Sequence, residues 1–472
     1  MKLAAFHRTR LAVAVGAAVL ALSANHAFGS NFALQEQSGS GVGNAFAGGA
    51  AAAEDASTVW SNPAGMSRIP GIQGVVAGDV ICLSAKLSDN GSMPAAFQPL
   101  GGNGGDAGTC AFLPSLYLVV PLNKQFAFGL GVGAPFGLKT DYDSSWLGRF
   151  QAIKSRVSTV NINPSLSWKI NDMWTVGAGV DYQHINATLT NAVNYSGALA
   201  TAAAQAAAGG LIPPSAVPPI VAGVAGLESQ AAVNGNDNAW GWNIGLLFEP
   251  DKDTRLGAQY RSAIKYTVSG QVNFNNPQLP ATLPPALAPI AGLLAAGVNE
   301  VLSSGDVSLQ LKVPQSWNVS VFHSLDKTWD LMADLQYTGW SSIQNLTIVR
   351  STGAVLSETP ENFRNTWRGS IGANYHYSDQ WMFRGGLAYD QSPVKDAERT
   401  PRLPDNNRTW IAIGAQYRAT PQLALDVGYT YIFVSNSSIN QNEGSTAANG
   451  LIAGTYHNNV NVVGLQATYT FQ

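Results

Sequence analysis

Charged side chains are scarce in this chain of 472 residues: they make up 12%, about half the share usual in soluble globular domains. The deficit is not made good by hydrophobicity, since 46% apolar residues is an ordinary value. A formal net charge of −3 gives no electrostatic reason to expect a nucleic-acid partner. Beyond the N-terminus no stretch reads as a charge-free apolar run of about 18 residues, which excludes a helical membrane protein. Cysteine (2) and methionine (6) are rare, and no metal-ligand spacing occurs. The six histidines are scattered. His184, His323 and His376 stand apart from any nucleophile-and-base arrangement, so neither an enzyme nor a cofactor is expected. What is plentiful is glycine (49), tryptophan (12) and tyrosine (15). A polar but uncharged chain rich in these residues suits a transmembrane β-barrel, with an apolar lipid face, a polar lumen and aromatic interfaces.

The N-terminal segment reads as an export signal. Lys2, Arg8 and Arg10 precede an apolar run from Leu11 to Leu22, and Ala27-Phe28-Gly29 supplies small residues for cleavage after Gly29. That run is too short to span a bilayer comfortably. Export also bears on Cys82 and Cys110, the only cysteines. An oxidising route permits a disulfide between them, with two free thiols as the alternative.

Period-two alternation marks the strands. Val463, Leu465, Ala467, Tyr469 and Phe471 alternate with Gly464, Gln466, Thr468 and Thr470. Leu423, Leu425, Val427, Tyr429 and Tyr431 do the same against Ala424, Asp426, Gly428 and Thr430. In these and in the runs 174–183 and 331–339 the acidic residues share the less apolar face. That face looks into water in a sandwich and into the lumen in a barrel.

The connections decide between the two. Six short turns share one recipe, an Asn or Asp beside a Lys, Gln, Met or Thr just before an aromatic or Leu, the sixth with proline as punctuation. They fall at 122–126, 170–174, 250–253, 325–329, 377–381 and 420–423. Seven longer connections alternate with them, around 88–110, 139–155, 190–237, 274–305, 347–364, 393–407 and 437–457. Loop length sorted by end is the mark of an outer-membrane barrel. Six short and seven long connections join 14 strands, an even number that leaves both barrel ends on the periplasmic side.

The reading therefore divides the chain into a signal peptide (1–29), an N-terminal hatch (30–72) and a barrel (73–472). The hatch segment is rich in glycine and alanine and too irregular for the wall. About 40 such residues could form a disordered leader; a 14-strand barrel is wider than side chains alone can fill, so a compact plug in its lumen is also physically reasonable. The loops at 190–237 and 274–305 are apolar and proline-punctuated, and are expected to form short helices. Apolar surface of this kind marks a binding site; filler sequence would normally be polar.

The chain also resembles a known family. Ser30-Asn31-Phe32-Ala33-Leu34-Gln35-Glu36-Gln37-Ser38, Gly41-Val42-Gly43-Asn44-Ala45 and Asn62-Pro63-Ala64 are similar to the start of FadL-like outer-membrane long-chain fatty acid transporters. The likeness continues through Pro114-Ser115-Leu116-Tyr117, Asn161-Ile162-Asn163-Pro164-Ser165 and Asp390-Gln391-Ser392-Pro393. It also takes in Pro401-Arg402-Leu403-Pro404-Asp405. It is weakest in the loops 190–237, 274–305 and 437–457.

The resemblance implies a 14-strand barrel with a hatch and a role for Asn62, Pro63 and Ala64 in uptake. It places Phe32 near the ligand pocket and a kink in the third strand that opens the wall sideways. At the matching position stand Gly131, Gly133, Pro135, Phe136 and Gly137. Proline cannot donate to a ladder and glycine weakens it, so a break is expected there, unless the proline merely ends the strand at its loop.

A fatty acid needs a cation for its carboxylate. By alternation Arg261, Lys312, Arg368 and Arg384 are expected to face the lumen. Each also fits a lumenal ion network with Asp181, Asp334 or Asp426, the reading the residues themselves favour. The leading expectation is a monomeric passive transporter in the outer membrane, with outer-membrane lipids around it and a long-chain fatty acid or similar hydrophobic molecule as ligand. Uptake of aromatic or other hydrocarbons by the same route, or a general aqueous porin, are the alternatives.

Overall fold

The computed structural model describes residues 32–471; the proposed signal peptide lies outside them. Among these residues twenty β-segments form one sheet. They are β1 (Gln73–Asp89), β2 (Cys110–Pro121), β3 (Phe126–Gly133), β4 (Gly137–Asp141), β5 (Lys154–Lys169), β6 (Trp174–Asn194) and β7 (Glu228–Phe248). Next come β8 (Thr254–Arg261), β9 (Ile264–Asn275), β10 (Gly305–Val313), β11 (Ser316–Ser324), β12 (Trp329–Thr338), β13 (Asn345–Arg350) and β14 (Val355–Pro360). The last are β15 (Thr366–His376), β16 (Trp381–Asp390), β17 (Arg408–Arg418), β18 (Leu423–Val434), β19 (Ser437–Gln441) and β20 (Ile452–Thr470).

The segments trace fourteen antiparallel wall strands, because six strands are interrupted: β3–β4, β8–β9, β10–β11, β12–β13, β14–β15 and β18–β19. β1 pairs with β20 along its whole length, from Gln73 opposite Thr470 to Asp89 opposite Gly454. The sheet thus closes without an edge, as an apolar bilayer requires.

The short turns show why their recipe recurs. Asn123 Oδ1 accepts from the backbone N–H of Gln125 and Phe126 (2.8 and 2.9 Å). Asn171, Asp251 and Asp326 take the same two bonds, and the hydroxyls of Ser378 and Thr420 do so in the remaining turns. One side-chain oxygen satisfies two amides that the reversing chain leaves unpaired. Aromatic pairs at the flanking strand ends, Phe126 with Trp168, Trp174 with Phe248 and Trp381 with Tyr417, give this rim its girdle.

Two features differ from expectation. The stretch 347–364 is largely a hairpin, β13 against β14, rather than a loop. β13 also lies on β10 from Val307 to Leu309, which buries Ile348 against Val272 and Val307. The ladder continues there because partners remain available above the membrane. The apolar loops do form helices, Tyr195–Ala208, Val217–Gly223 and Ala288–Val301, but they bury much of their apolar surface on one another.

Cys82 and Cys110 stand opposite each other on β1 and β2 and form a disulfide. Unreduced, denatured protein should therefore show no free thiol on titration. Replacing both cysteines with serine opens a loop with a sequence separation of 28 residues. That should cost about 3–4 kcal/mol, read as loss of the folded, heat-modifiable band at lower temperature. Two free thiols in the unreduced wild type would remove the bridge.

Candidate functional site

Residues 32–68 fold as a plug in the lumen, built from single turns of helix at Gly39–Val42, Gly49–Ala52 and Thr58–Ser61 and a 3-10 run at Pro63–Arg68, the glycines between them interrupting any longer helix. Ser38 caps the first turn, Gly39–Val42, with its Oγ accepting from Gly41 N (3.2 Å). Ala45, Phe46 and Ala53 take positive φ (54°, 55° and 46°), a strained conformation for residues with a Cβ. Asn62 is fully buried and does three things. Its Oδ1 caps Ala64 N (3.0 Å), and its Nδ2 donates to Ala50 O (2.6 Å) within the plug and to Leu246 O (3.0 Å) in the wall. Pro63 starts the 3-10 turn Pro63–Arg68, where its missing N–H costs nothing. The motif thus rivets the plug to β7; it does not line up with Phe32.

The third wall strand is broken at Ala134-Pro135-Phe136. Gly131 and Gly133 remain in the ladder, opposite Asn163 and Asn161 of β5, so the interruption is narrower than the glycine-rich stretch suggested. β2 pairs with β3 only from Leu116 to Pro121, leaving Cys110–Ser115 without a ladder partner on that side. The first plug residues repair the break. Leu34 N donates to Pro135 O (2.8 Å) and Gly137 N donates to Phe32 O (2.8 Å). Phe136 N donates to Thr159 Oγ1 (2.9 Å), and Gln37 Nε2 donates to Ala134 O (3.0 Å). On the lumenal side Leu34 and Ala134 pack with Ala111 and Leu113.

The same segment fills an apolar chamber. The Phe32 ring lies 4.9 Å from Trp340 and 5.7 Å from Phe136, among Leu138, Ile264, Val313 and Leu403. Between this chamber and the plug runs a cavity of about 170 Å³, lined by Phe136, Ile264 and Val313 and by polar groups from Asn161, Gln183 and Arg261. That is less than the 300–1,000 Å³ typical of ligand pockets, so an occupant of any length requires side chains to move.

Three of the four expected cations reach the lumen. Arg261 pairs with Asp181, and its guanidinium carbon lies 3.6 Å over the Trp60 ring. Arg384 pairs with Glu54 of the plug and with Asp426 (3.0 Å). Arg368 donates to Ala45 O (2.6 Å) and lies over Trp410. Lys312 is a correction: it is exposed on the outer face, opposite Lys265. The break at Pro314-Gln315 resets the alternation. Before it the inward residues are Leu311 and Val313; after it they are Asn318, Ser320 and Phe322. One alternation carried across both segments puts Lys312 on the wrong side.

Sequence reasoning missed Glu36 and Arg402. Glu36 is fully buried in the plug, and neither carboxylate oxygen has a hydrogen-bond partner among the described residues. Arg402 donates to Ser155 Oγ (3.1 Å) and Asn191 Oδ1 (3.4 Å) beneath the outer loops. The family-like stretches that contain them were visible; their burial was not. Above the chamber, Glu361 is closed off between outer loops, and burial pushes its carboxyl up to about 8, with Glu443 adding repulsion and Arg402 opposing it. Higher still, the helices pack through Tyr195, Leu199, Ile220 and Val298, while Leu211, Leu293 and Val301 remain exposed to the outside.

Comparison with known proteins places this geometry. Residues 20–471 match the family described as "Outer membrane protein transport protein (OMPP1/FadL/TodX)". The chain is 29% identical to the long-chain fatty acid transport protein of Escherichia coli K12, covering 92% of this chain and 94% of that one. It is 30% identical to the 47 kDa outer membrane protein of Pasteurella multocida, over 94% of this chain and 96% of the relative. Among solved structures it is similar to a Pseudomonas aeruginosa FadL homologue (27% identity, 94% and 100% coverage, TM-score 0.80). The Pseudomonas putida toluene transporter TodX shares the fold at 18% identity (88% and 94% coverage, TM-score 0.62).

The outer cap should be pH-sensitive. Glu361 binds its proton more tightly in the fold (about 8) than in an unfolded chain (4.5). Its stabilising contribution is therefore complete below pH 4.5 and lost as pH rises through about 8. Limited proteolysis of the outer loops should quicken across that window in wild type and not in Glu361→Gln. Equal pH dependence in both would assign the effect elsewhere.

Proposed function

Because the chain belongs to the OMPP1/FadL/TodX family of outer-membrane transport proteins, we propose that it takes up long-chain fatty acids or similar hydrophobic molecules by passive transport through a lateral opening at the third wall strand. The observation that carries this reading is that one short segment does two jobs. Phe32 fills the apolar chamber, and the backbone of residues 32–34 closes the break at Pro135. A ligand that displaces Phe32 from Trp340 pulls on the bonds that seal the wall.

The steps follow from the physical chemistry of the surfaces. Apolar ligand collects on the exposed Leu211, Leu293 and Val301 of the outer helices. It enters the chamber and takes the place of Phe32. Each CH₂ left in water costs about 0.8 kcal/mol, so a watery path to the periplasm is unfavourable and the bilayer is the better sink. The gap beside Cys110–Ser115 offers it. Arg261, Arg368 and Arg384 already hold lumenal partners, so a ligand carboxylate would have to compete with Asp181, Ala45 O or Glu54. Monomeric function fits a pathway contained in one barrel.

Two experiments test the route. Pro135→Val with Gly133→Val restores a donor and stiffens the strand; a Cβ at Gly133 would lie 2.7 Å from Gln37 Oε1, so that side chain must shift to admit it. The folded double variant should lose oleate uptake while retaining ligand binding. Normal uptake would shift the route to passage past the plug. Separately, Asn62→Ala with Pro63→Ala loses the cap, about 1 kcal/mol, and leaves Ala50 O and Leu246 O without that donor, about 1–3 kcal/mol more. It should keep the heat-modifiable band and lower oleate uptake. Loss of the band would make the plug a structural element rather than a gate.

A further inference from the structure

We infer that the periplasmic end of the barrel holds an oxyanion-binding vestibule centred on Arg255, distinct from the lumenal pocket and independent of the lateral route. A cavity of about 520 Å³ opens between the short turns at Lys327 and at Ser378–Gln380 and the underside of the plug. Its lining carries Arg68, Arg255, Lys327, Arg418 and His376, with Glu54, Asp330 and Asp379 as the acids. Most of the negative charge is already engaged. Glu54 is held by Arg384 and by Asn374 Nδ2 (2.6 Å). Asp330 is held by His376 Nε2 and Ser324 Oγ, both at 2.7 Å. Arg68 is paired with Glu249, and Asp379 is exposed.

Arg255 has no such partner. It is 7% exposed, its guanidinium carbon lies 3.6 Å over the Phe322 ring, and its Nε donates to Ala51 O (3.1 Å). It forms no ion pair among the described residues, and its two terminal nitrogens reach no protein acceptor among them. Glu54, Glu249 and Asp330 attract it through space but none closes a salt bridge, and a guanidinium largely withdrawn from water without a direct ion pair is costly. Here Phe322 holds it flat and one bond fixes its rotation, which leaves the fork of terminal N–H groups for a bidentate oxyanion, a carboxylate or a phosphate. Lys327 and Arg418 make the surroundings more positive and likewise form no ion pair among the described residues. The anion can come from solution in the periplasm. It can also be the ligand's own head group, because Ala52, Ala53 and Glu54 line both this vestibule and the lumenal pocket and form a thin partition between them.

The test is anion protection of Arg255 in the folded, full-length protein. Purified barrel is treated with phenylglyoxal, which modifies accessible guanidinium groups, and Arg255 is followed by peptide mass spectrometry. Butyrate or inorganic phosphate should slow its modification several-fold, butyramide should not, and Arg350 on the outer side should be unaffected. As a second readout, butyrate should raise the melting temperature of wild type but not of folded Arg255→Gln. Arg255 modification that no anion slows overturns the site, whatever happens to oleate uptake. The source is read in intact cells. Protection of Arg255 by oleate added outside assigns the ligand's carboxylate, and protection confined to butyrate or phosphate on purified protein assigns a soluble anion.

Discussion

Unpaired backbone cannot face hydrocarbon, and the architecture follows from satisfying that rule at one awkward place. Proline at 135 removes a donor from the third wall strand, and on that side the neighbouring strand β2 has no ladder partner from Cys110 to Ser115. The break is tolerable because plug residues, Thr159 and Gln37 supply bonds from inside. Wall, plug and apolar chamber are therefore coupled through a handful of residues, so that the seal on the wall is only as firm as the seat of Phe32.

The plug can sit this close because the inner wall is cut away beneath it. A Cβ on Gly245 would lie 1.9 Å from Asn62 Oδ1, and one on Gly257 would lie 1.9 Å from Ala50 O. Wall backbone thus packs directly on the plug, on the Asn62 side chain at Gly245 and on the plug backbone at Gly257, which explains why a barrel with so much glycine is not loose. Close packing in turn buries the polar lumen and forces its charges into pairs. Arg384 joins Glu54 of the plug to Asp426 of β18, and removing such a centre leaves two uncompensated carboxylates, a loss on the order of 3–5 kcal/mol for a buried pair. The ion network that competes with a ligand carboxylate is the same one that locks the plug.

Local features were legible in the sequence; features created by the plug were not. The turns at Asn123, Asn171 and Asp326 could be read because each is a few consecutive residues with one capping oxygen. Alternation gave the faces of β6, β18 and β20 for the same reason. Lys312 was misassigned because parity is a local property that Pro314 interrupts, and the hairpin at 345–360 was missed because its partner β10 is distant in sequence. The apolar loop sequences suggested exposure, but helices bury one side of such a segment on another. Arg255 gave no signal, and Glu36 none beyond the family-like stretch that contains it. An arginine on a strand looks like any lumenal cation until the plug covers it and leaves it without a salt bridge.

Magnitudes on the proposed route favour one kind of ligand. Lifting Phe32 out of its chamber forfeits about 1.5–3 kcal/mol of burial. Releasing the two backbone bonds to Pro135 and Gly137 forfeits about 0.5–1.5 kcal/mol each. At about 0.8 kcal/mol per buried CH₂, roughly three to eight methylenes offset the sum. A single aromatic ring replaces little more than the ring it expels and leaves the broken bonds uncompensated. A long alkyl chain exceeds the requirement and retains a surplus to hold the wall open. On the proposed route, a tighter seal between residues 32–34 and the third strand would make the opening discriminate more by chain length, and selectivity would then arise from the repair of the wall as much as from the shape of the chamber.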